Sequence, residues 1–261
     1  MSMDILHSLI FGIIEGVTEF LPISSTAHMV LAAKVMGISQ TEFVKSFEIV
    51  IQFGAILSVI ALYWKRFLVD MESLKRILAA FIPTAILGFI LYKLIKTYLM
   101  SNQTIIVWSL LLGGLVLLVF ENFHKEKSSA LDDISKLPYS KCIAIGLFQS
   151  LAMVPGVSRS AATIIGGLSL GLKRSTIVEF SFLLAAPTML AASALDLMKS
   201  GSGFSSSQFG VLAVGFIVSF FVAIASIKFF INYIQKHTFI PFGVYRIIVA
   251  LVFMAFTCRV R

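Results

Sequence analysis

Charge is scarce in this chain. Only 13% of its 261 residues are Asp, Glu, Lys or Arg, where an ordinary soluble domain has about 25%, and a water-facing surface of normal polarity is thereby excluded. Cysteine is scarcer still: Cys142 and Cys258 stand far apart, with neither metal-ligand spacing nor a disulfide framework, and both read as small apolar residues. The opening "MSMD" has no basic start, and no small-residue cleavage site follows it, so no removable leader is expected. The net charge of +8 is not a nucleic-acid signature, because no stretch interleaves basic and aromatic residues on a soluble face. The cations lie between apolar runs, where they read as cytoplasmic loop charge.

What the chain has is hydrocarbon: 58% of its residues are hydrophobic and 24 are phenylalanine. Several runs approach the roughly 20 apolar residues that cross a bilayer core of about 30 Å. Six segments read as spanning helices, at about 43–63, 77–96, 104–120, 176–197, 209–231 and 240–258. Two others, 5–36 and 142–172, are apolar but broken in the middle, at "LPISS" and "VPGVSRS". Each of their arms would be roughly 20–25 Å of helix, marginal for a crossing, so both read as re-entrant helical hairpins.

A hairpin returns the chain to the side it came from, which fixes the alternation of the loops. Twelve basic residues, from Lys65 and Arg66 through to Lys228 and Lys236, then fall on one side. Seven (Lys34, Lys45, Lys93, Lys96, Lys199, Arg259 and Arg261) fall on the other. The excess marks the first side as cytoplasmic and puts both termini outside. The same alternation uncovers a repeat. "GIIEGVTEFLPISST" from Gly12 aligns with "GLFQSLAMVPGVSRS" from Gly146, matching Gly12 to Gly146, Glu15 to Gln149, Pro22 to Pro155 and Ser24 to Ser158. Three spanning segments separate the hairpins, so they enter from opposite sides. The expected fold is therefore an all-α integral membrane protein, an inverted-topology repeat with six transmembrane helices and two re-entrant helical hairpins. It forms one domain, 1–261, with repeats of about 1–122 and 140–261. Broken helices meeting near the midplane build polar sites.

The polar residues of the breaks suggest what that site handles. Glu15 and Glu19 are four apart and share a helical face; two carboxylates there need a proton, a basic partner or a cation between them, and Mg²⁺ or Ca²⁺ would suit their oxygens. Pro22 ends the first arm, and Ser24 can cap the next helix, leaving amide groups near Ser25 and Thr26 for an anion. Ser158 can cap the second break, with Arg159 and Ser160 at the helix start. Arg159 forks onto phosphate oxygens or, alternatively, neutralises a glutamate. Ser25 and His28, three apart, share a face and suit a nucleophile with its general base or acid. Glu48 and Gln52 repeat the four-residue spacing and either stand behind Arg159 or the metal, or tie the bundle together. Arg246 beside Tyr245, and Glu179, are further intramembrane polar groups suited to pairing within the bundle. Together these groups suit phosphoryl transfer.

"EGVTEFLPISSTAH" (15–28) and "PGVSRSAAT" (155–163) resemble the two signature segments of the undecaprenyl-diphosphate phosphatase family, the bacterial membrane enzymes associated with bacitracin resistance. The resemblance extends through "IQFGAI" at 51–56 and "EFSFLLAAPTML" at 179–190. It implies an enzyme of the bacterial inner membrane, multi-pass, with its site opening to the outer, periplasmic face. The implied reaction removes the terminal phosphate of undecaprenyl diphosphate and returns the monophosphate carrier to peptidoglycan synthesis. It also implies an acidic pair Glu15 and Glu19 linked to a divalent cation, Ser25 as candidate nucleophile, the family's histidine at His28 and a phosphate-binding Arg159. Ala27 stands where many members have glycine, which puts a close backbone approach to phosphate there in doubt. Serine and water both remain open as nucleophile. The expected partners are the polyprenyl diphosphate and membrane lipids, with no nucleic acid; a homodimer is one option for the assembly. The competing reading is a transporter or flippase of a polyprenyl phosphate lipid, which would need the arginine and the helix ends but not a nucleophile.

Overall fold

The structure, a computed structural model, describes residues 3–99, 102–200 and 206–259. Arg261 of the expected charge balance lies outside the described residues, as do the side chains of Lys96, Lys199, Cys258 and Arg259. Apart from one bridge pair, Leu131 with Leu172, the described residues form helices and their connections. The α-helices are α1 (Ile5–Thr18), α2 (Ser25–Val35), α3 (Glu42–Leu68), α4 (Met71–Leu94), α5 (Gln103–Phe123), α6 (Tyr139–Ser150), α7 (Arg159–Ser169), α8 (Arg174–Ser200), α9 (Ser206–Ile234) and α10 (Ile240–Arg259).

Five of these, α3, α4, α5, α8 and α9, are long and apolar enough to cross a membrane. With 27 residues, α3 is about 40 Å long. The sixth expected crossing is helical as anticipated, but its described apolar portion, Ile240–Ala255, falls below spanning length. Helix starts follow local chemistry. Asp4 forms a capping box with His7, the Thr41 hydroxyl accepts from the Val44 amide, Asp70 accepts from Ser73, and Asn102 accepts from Thr104 and Ile105; each satisfies amides that the first helical turn leaves without partners.

The two interrupted segments fold alike. The first is α1, a tight break, then the 11 residues of α2; the second is α6, a short 3₁₀ turn over Leu151–Met153, then the 11 residues of α7. Each second arm begins after a serine with positive φ, Ser24 at 71° and Ser158 at 76°, the two non-glycine residues in that region among those described. Each ends at a left-handed glycine, Gly37 or Gly171, where the next amide reaches back (Ile38 to Ala33 O, Leu172 to Gly167 O) in the closing pattern that glycine permits.

Small residues let the arms press into the long helices. α1 lies on α9, where a Cβ added at Gly12 would stand 2.8 Å from Gly215 O, and α6 lies on α4, where one at Gly146 would collide with Ala80 O. α5 and α10 close similarly through Gly114 and Gly243. The main buried core gathers Phe20 of the first break with Phe180 and Phe182 of α8, Phe230 of α9 and Phe239.

Candidate active site

The two breaks meet directly: Ser160 Oγ at the start of α7 donates to Leu21 O in the first break at 2.8 Å. Above this contact the C-terminal end of α1 presents Glu19, and α7 presents Arg159. Arg159 Nη2 donates to Glu19 Oε1 at 3.1 Å, and Nη1 donates to Ser181 O on α8 at 2.8 Å. Ser25 Oγ donates to the other carboxylate oxygen, Glu19 Oε2, at 2.6 Å. Glu19 therefore stands between a hydroxyl and a guanidinium, 9% exposed, and of the two glutamates it is Glu19 that Arg159 pairs with directly.

Glu15 has no such partner. It is fully buried, and neither carboxylate oxygen has a hydrogen-bonding group within reach. An ionised carboxylate so placed costs several kcal/mol unless a proton or a cation accompanies it. The donor chemistry thus fits a cation at Glu15 and Glu19. Among the described residues no cluster of three or more His, Cys, Asp or Glu side chains accompanies them, so further ligands would come from neutral oxygens or water.

A cavity of about 550 Å³ opens beside the ion pair. Its polar end carries Glu19, Ser24, Ser25, Thr26, Gln52, Gln149, Ser158 and Arg159, while Phe81, Ala85 and Phe89 of α4 and Leu195 of α8 make its other walls apolar. The start of α2 faces it without a side-chain cap, since the Ser24 hydroxyl caps no amide. Ser158 does cap α7, through Ala161 N at 3.3 Å, and contacts Ser160 Oγ at 3.0 Å.

Gln149 matches Glu15 in the aligned repeat. Its amide nitrogen donates to Thr84 Oγ1 at 2.9 Å and Thr188 Oγ1 at 3.0 Å. Both threonine hydroxyls already donate to carbonyls, of Gly146 and Leu184, so they can only accept here, and this fixes which way the amide points.

The serine and histidine expected to work together are separated. His28 Nδ1 lies 2.8 Å from Ser24 O and Nε2 lies 2.8 Å from Tyr245 OH, with the His28 and Tyr245 rings parallel. A carbonyl only accepts, so Nδ1 carries a proton and Nε2 faces the phenol. His28 braces the Ser24 turn from outside the cavity, and the group in contact with Ser25 Oγ is Glu19. Of the pair behind the site, Gln52 lines the cavity, whereas Glu48 accepts from Gln40 Nε2 at 3.1 Å. Ala27 packs away from the cavity, against Ile106 and Val107 of α5, so its methyl does not obstruct an anion. Glu179 pairs with Arg66 at 2.9 Å. Sequence reasoning missed Thr84, Ser181 and Thr188, whose only signal is a hydroxyl on an apolar helix.

Comparison with known proteins identifies the family. The family model described as "Bacitracin resistance protein BacA" matches residues 8–252. The chain belongs to this family. Among its relatives, a protein of Aquifex aeolicus named undecaprenyl-diphosphatase is 52% identical over 250 residues, covering 96% of this chain and 97% of the relative. Proteins of the same name from a Sulfurihydrogenibium species and Persephonella marina are 53% and 49% identical, over 96% and 97% of this chain and 98% and 99% of their own lengths. Both breaks, and every residue named at the cavity, fall inside the matched range. Family membership and the apolar helices together make this a multi-pass membrane protein.

Proposed function

We propose that the protein hydrolyses undecaprenyl diphosphate to undecaprenyl phosphate and inorganic phosphate, returning the lipid carrier to cell-wall synthesis and conferring bacitracin resistance. The observation that carries this reading is the Ser25–Glu19–Arg159 chain of contacts at the polar end of an otherwise apolar cavity, in a chain about half identical to proteins named for that reaction.

Arg159 and the amide-bearing starts of α2 and α7 hold the diphosphate, offering positive charge where the transferred phosphoryl group accumulates negative charge. Ser25 Oγ attacks the terminal phosphorus; its proton passes to Glu19, 2.6 Å away, as the bond to the bridging oxygen breaks and undecaprenyl phosphate leaves. Water then attacks the phosphoserine, Glu19 returns the proton to Ser25, and inorganic phosphate is released. A divalent cation held by Glu15 and Glu19 would supply charge neutralisation, and Gln52 stands close enough to the cavity to orient water or substrate. The isoprenoid chain lies along Phe81, Ala85 and Phe89.

The architecture that serves this chemistry is an inverted repeat of about 1–122 and 140–261, with six crossings and two re-entrant hairpins. Its support is the matched pair of serine turns and glycine ends, together with reciprocal packing: α1 on α9 answers α6 on α4, and α5 pairs with α10. The site faces the outer side of the inner membrane; what supports this is the family resemblance, with the cavity's lining by Tyr92 and Ile95 on the same side as Lys93, the side with fewer basic residues. Phosphate release by the purified protein from a polyprenyl diphosphate, measured with and without EDTA, tests the reading. Release that needs Mg²⁺ or Ca²⁺ and is lost in Arg159→Ala supports it; a folded protein inert over a range of metals and lipids overturns it.

A further inference from the structure

Among the described residues Arg246 is the largest fully buried side chain, and the chemistry above does not use it. It projects from α10 into the joint between the two breaks. A guanidinium has five N–H donors, and here each has a carbonyl. Nε donates to Leu110 O at 3.2 Å; Nη1 donates to Pro22 O at 3.2 Å and Val157 O at 2.9 Å; Nη2 donates to Ser109 O at 3.1 Å and Gly156 O at 2.8 Å. Every one of these partners is backbone. Two belong to α5, one to the first break and two to the second, so one side chain ties together segments more than 130 residues apart.

The carbonyls it grips are related. Pro22 lies two residues before Ser24, and Gly156 lies two before Ser158, the two residues with positive φ. A serine in that region is strained and persists only where its surroundings hold it. The Val157–Ser158 peptide bond is trans, so pulling Val157 O toward Arg246 turns the Ser158 N–H the other way. Gly113 on α5 makes room for the grip: a Cβ there would fall on Nη2 and within 2.6 Å of Cζ. Beside it Tyr245 reaches the same turn through His28, whose Nδ1 contacts Ser24 O.

We infer that Arg246 is a positioning residue: by gripping equivalent carbonyls in both breaks, it sets the starts of α2 and α7 in register, so that Ser25 and Arg159 address one phosphate. It acts through those turns and touches no substrate. That the site is hydrolytic rests on the function proposed above; the grip itself does not.

The test uses Arg246→Lys, which keeps the charge but offers three donors where five carbonyls wait, and Gly113→Ala, which leaves every hydrogen-bonding group in place and displaces the guanidinium. Amide hydrogen exchange is read by mass spectrometry in detergent, alongside kcat/KM for a polyprenyl diphosphate and inhibition by inorganic phosphate. Exchange should rise at least tenfold in both 20–26 and 154–160, with the long helices protected as in wild type. Displacing reacting groups by about 1 Å costs on the order of 100-fold, so kcat/KM should fall between tenfold and 100-fold, and the phosphate inhibition constant should rise with it. Should the lysine variant fail to fold, Gly113→Ala carries the same test. Unchanged exchange at the two turns, or a rise spread evenly over the chain with activity falling only as folded protein is lost, overturns the inference. A wild type without activity sinks the phosphatase reading while leaving the exchange experiment intact.

Discussion

Replacing Glu15 with glutamine should make the protein more stable and less active. The substitution keeps the shape of the side chain and removes a carboxyl that is fully buried, has no hydrogen-bonding partner and is costly to ionise there. Residues four apart on a helix have Cβ atoms about 5–6 Å apart, and two like charges at ~6 Å repel by about 3 kcal/mol at an effective dielectric of 20. Arg159, paired with Glu19, also attracts a charge at Glu15 and offsets part of that repulsion, so the net relief is about 1–2 kcal/mol in the absence of a cation. At roughly 2–4 °C per kcal/mol for a chain of this size, the unfolding midpoint of Glu15→Gln in EDTA should lie about 2–8 °C above wild type. Added Mg²⁺ or Ca²⁺ should narrow that gap by stabilising only the wild type. The same variant should lose the metal-dependent part of phosphate release. The assay is thermal unfolding in detergent, with and without EDTA, beside phosphate release from the same preparation. A variant no more stable than wild type in EDTA, or one whose hydrolysis still responds to metal as wild type does, refutes the reasoning.

Arg159→Lys keeps the charge but loses the planar fork that reaches Glu19 and Ser181 O together, so kcat/KM should fall about 10²- to 10³-fold, as for loss of a charge-aligned donor; steady-state kinetics on folded protein checks this. Gly146→Ala drives a methyl into the backbone carbonyl of Ala80, which cannot rotate away, and should destabilise by about 1–3 kcal/mol, read as a lower unfolding midpoint. Asp70, between α3 and α4, caps α4; the Ser73 hydroxyl, with the Ser73 amide and Arg66, holds its carboxyl below the usual range. Its contribution is present above the unfolded value of about 3.9 and is lost as pH falls through the lower folded value. Asp70→Ala should cost about 1 kcal/mol at neutral pH and nothing in strong acid, as seen in unfolding scans across pH.

How much of this was legible in the sequence depends on how far apart the partners lie. The breaks at Pro22 and Pro155, the Ser158 cap and the pairing of Arg159 with Glu19 follow from local signals: prolines that stop helices, a hydroxyl that starts one, and a buried cation that needs an anion; the Ser24 hydroxyl, expected to cap α2 in the same way, caps no amide. The separation of His28 from Ser25 does not follow. Three-residue spacing does put both on one face, but a histidine turns toward whatever acceptors surround it, and Tyr245 comes from a helix 217 residues away. The environment of Arg246 was equally hidden. An intramembrane arginine announces itself, yet its five carbonyl partners belong to three distant segments, and carbonyls leave no trace in a sequence. The Thr84–Gln149–Thr188 tie depends in the same way on how α4, α6 and α8 come together. α10 was expected to cross, and its helix is present, but length and composition over its described portion do not by themselves reach a span.

The contact between Ser25 Oγ and Glu19 Oε2 makes the chemistry directly accessible. The decisive experiment is a single-turnover reaction of the purified protein with undecaprenyl diphosphate labelled in its terminal phosphate, quenched in acid and followed by mass spectrometry of the segment containing Ser25. Wild type should release labelled phosphate and carry transient label on Ser25, while Ser25→Ala should lose both. Release of phosphate at an undiminished rate by Ser25→Ala would contradict serine attack and assign the reaction to water, and no release by wild type would contradict hydrolysis altogether.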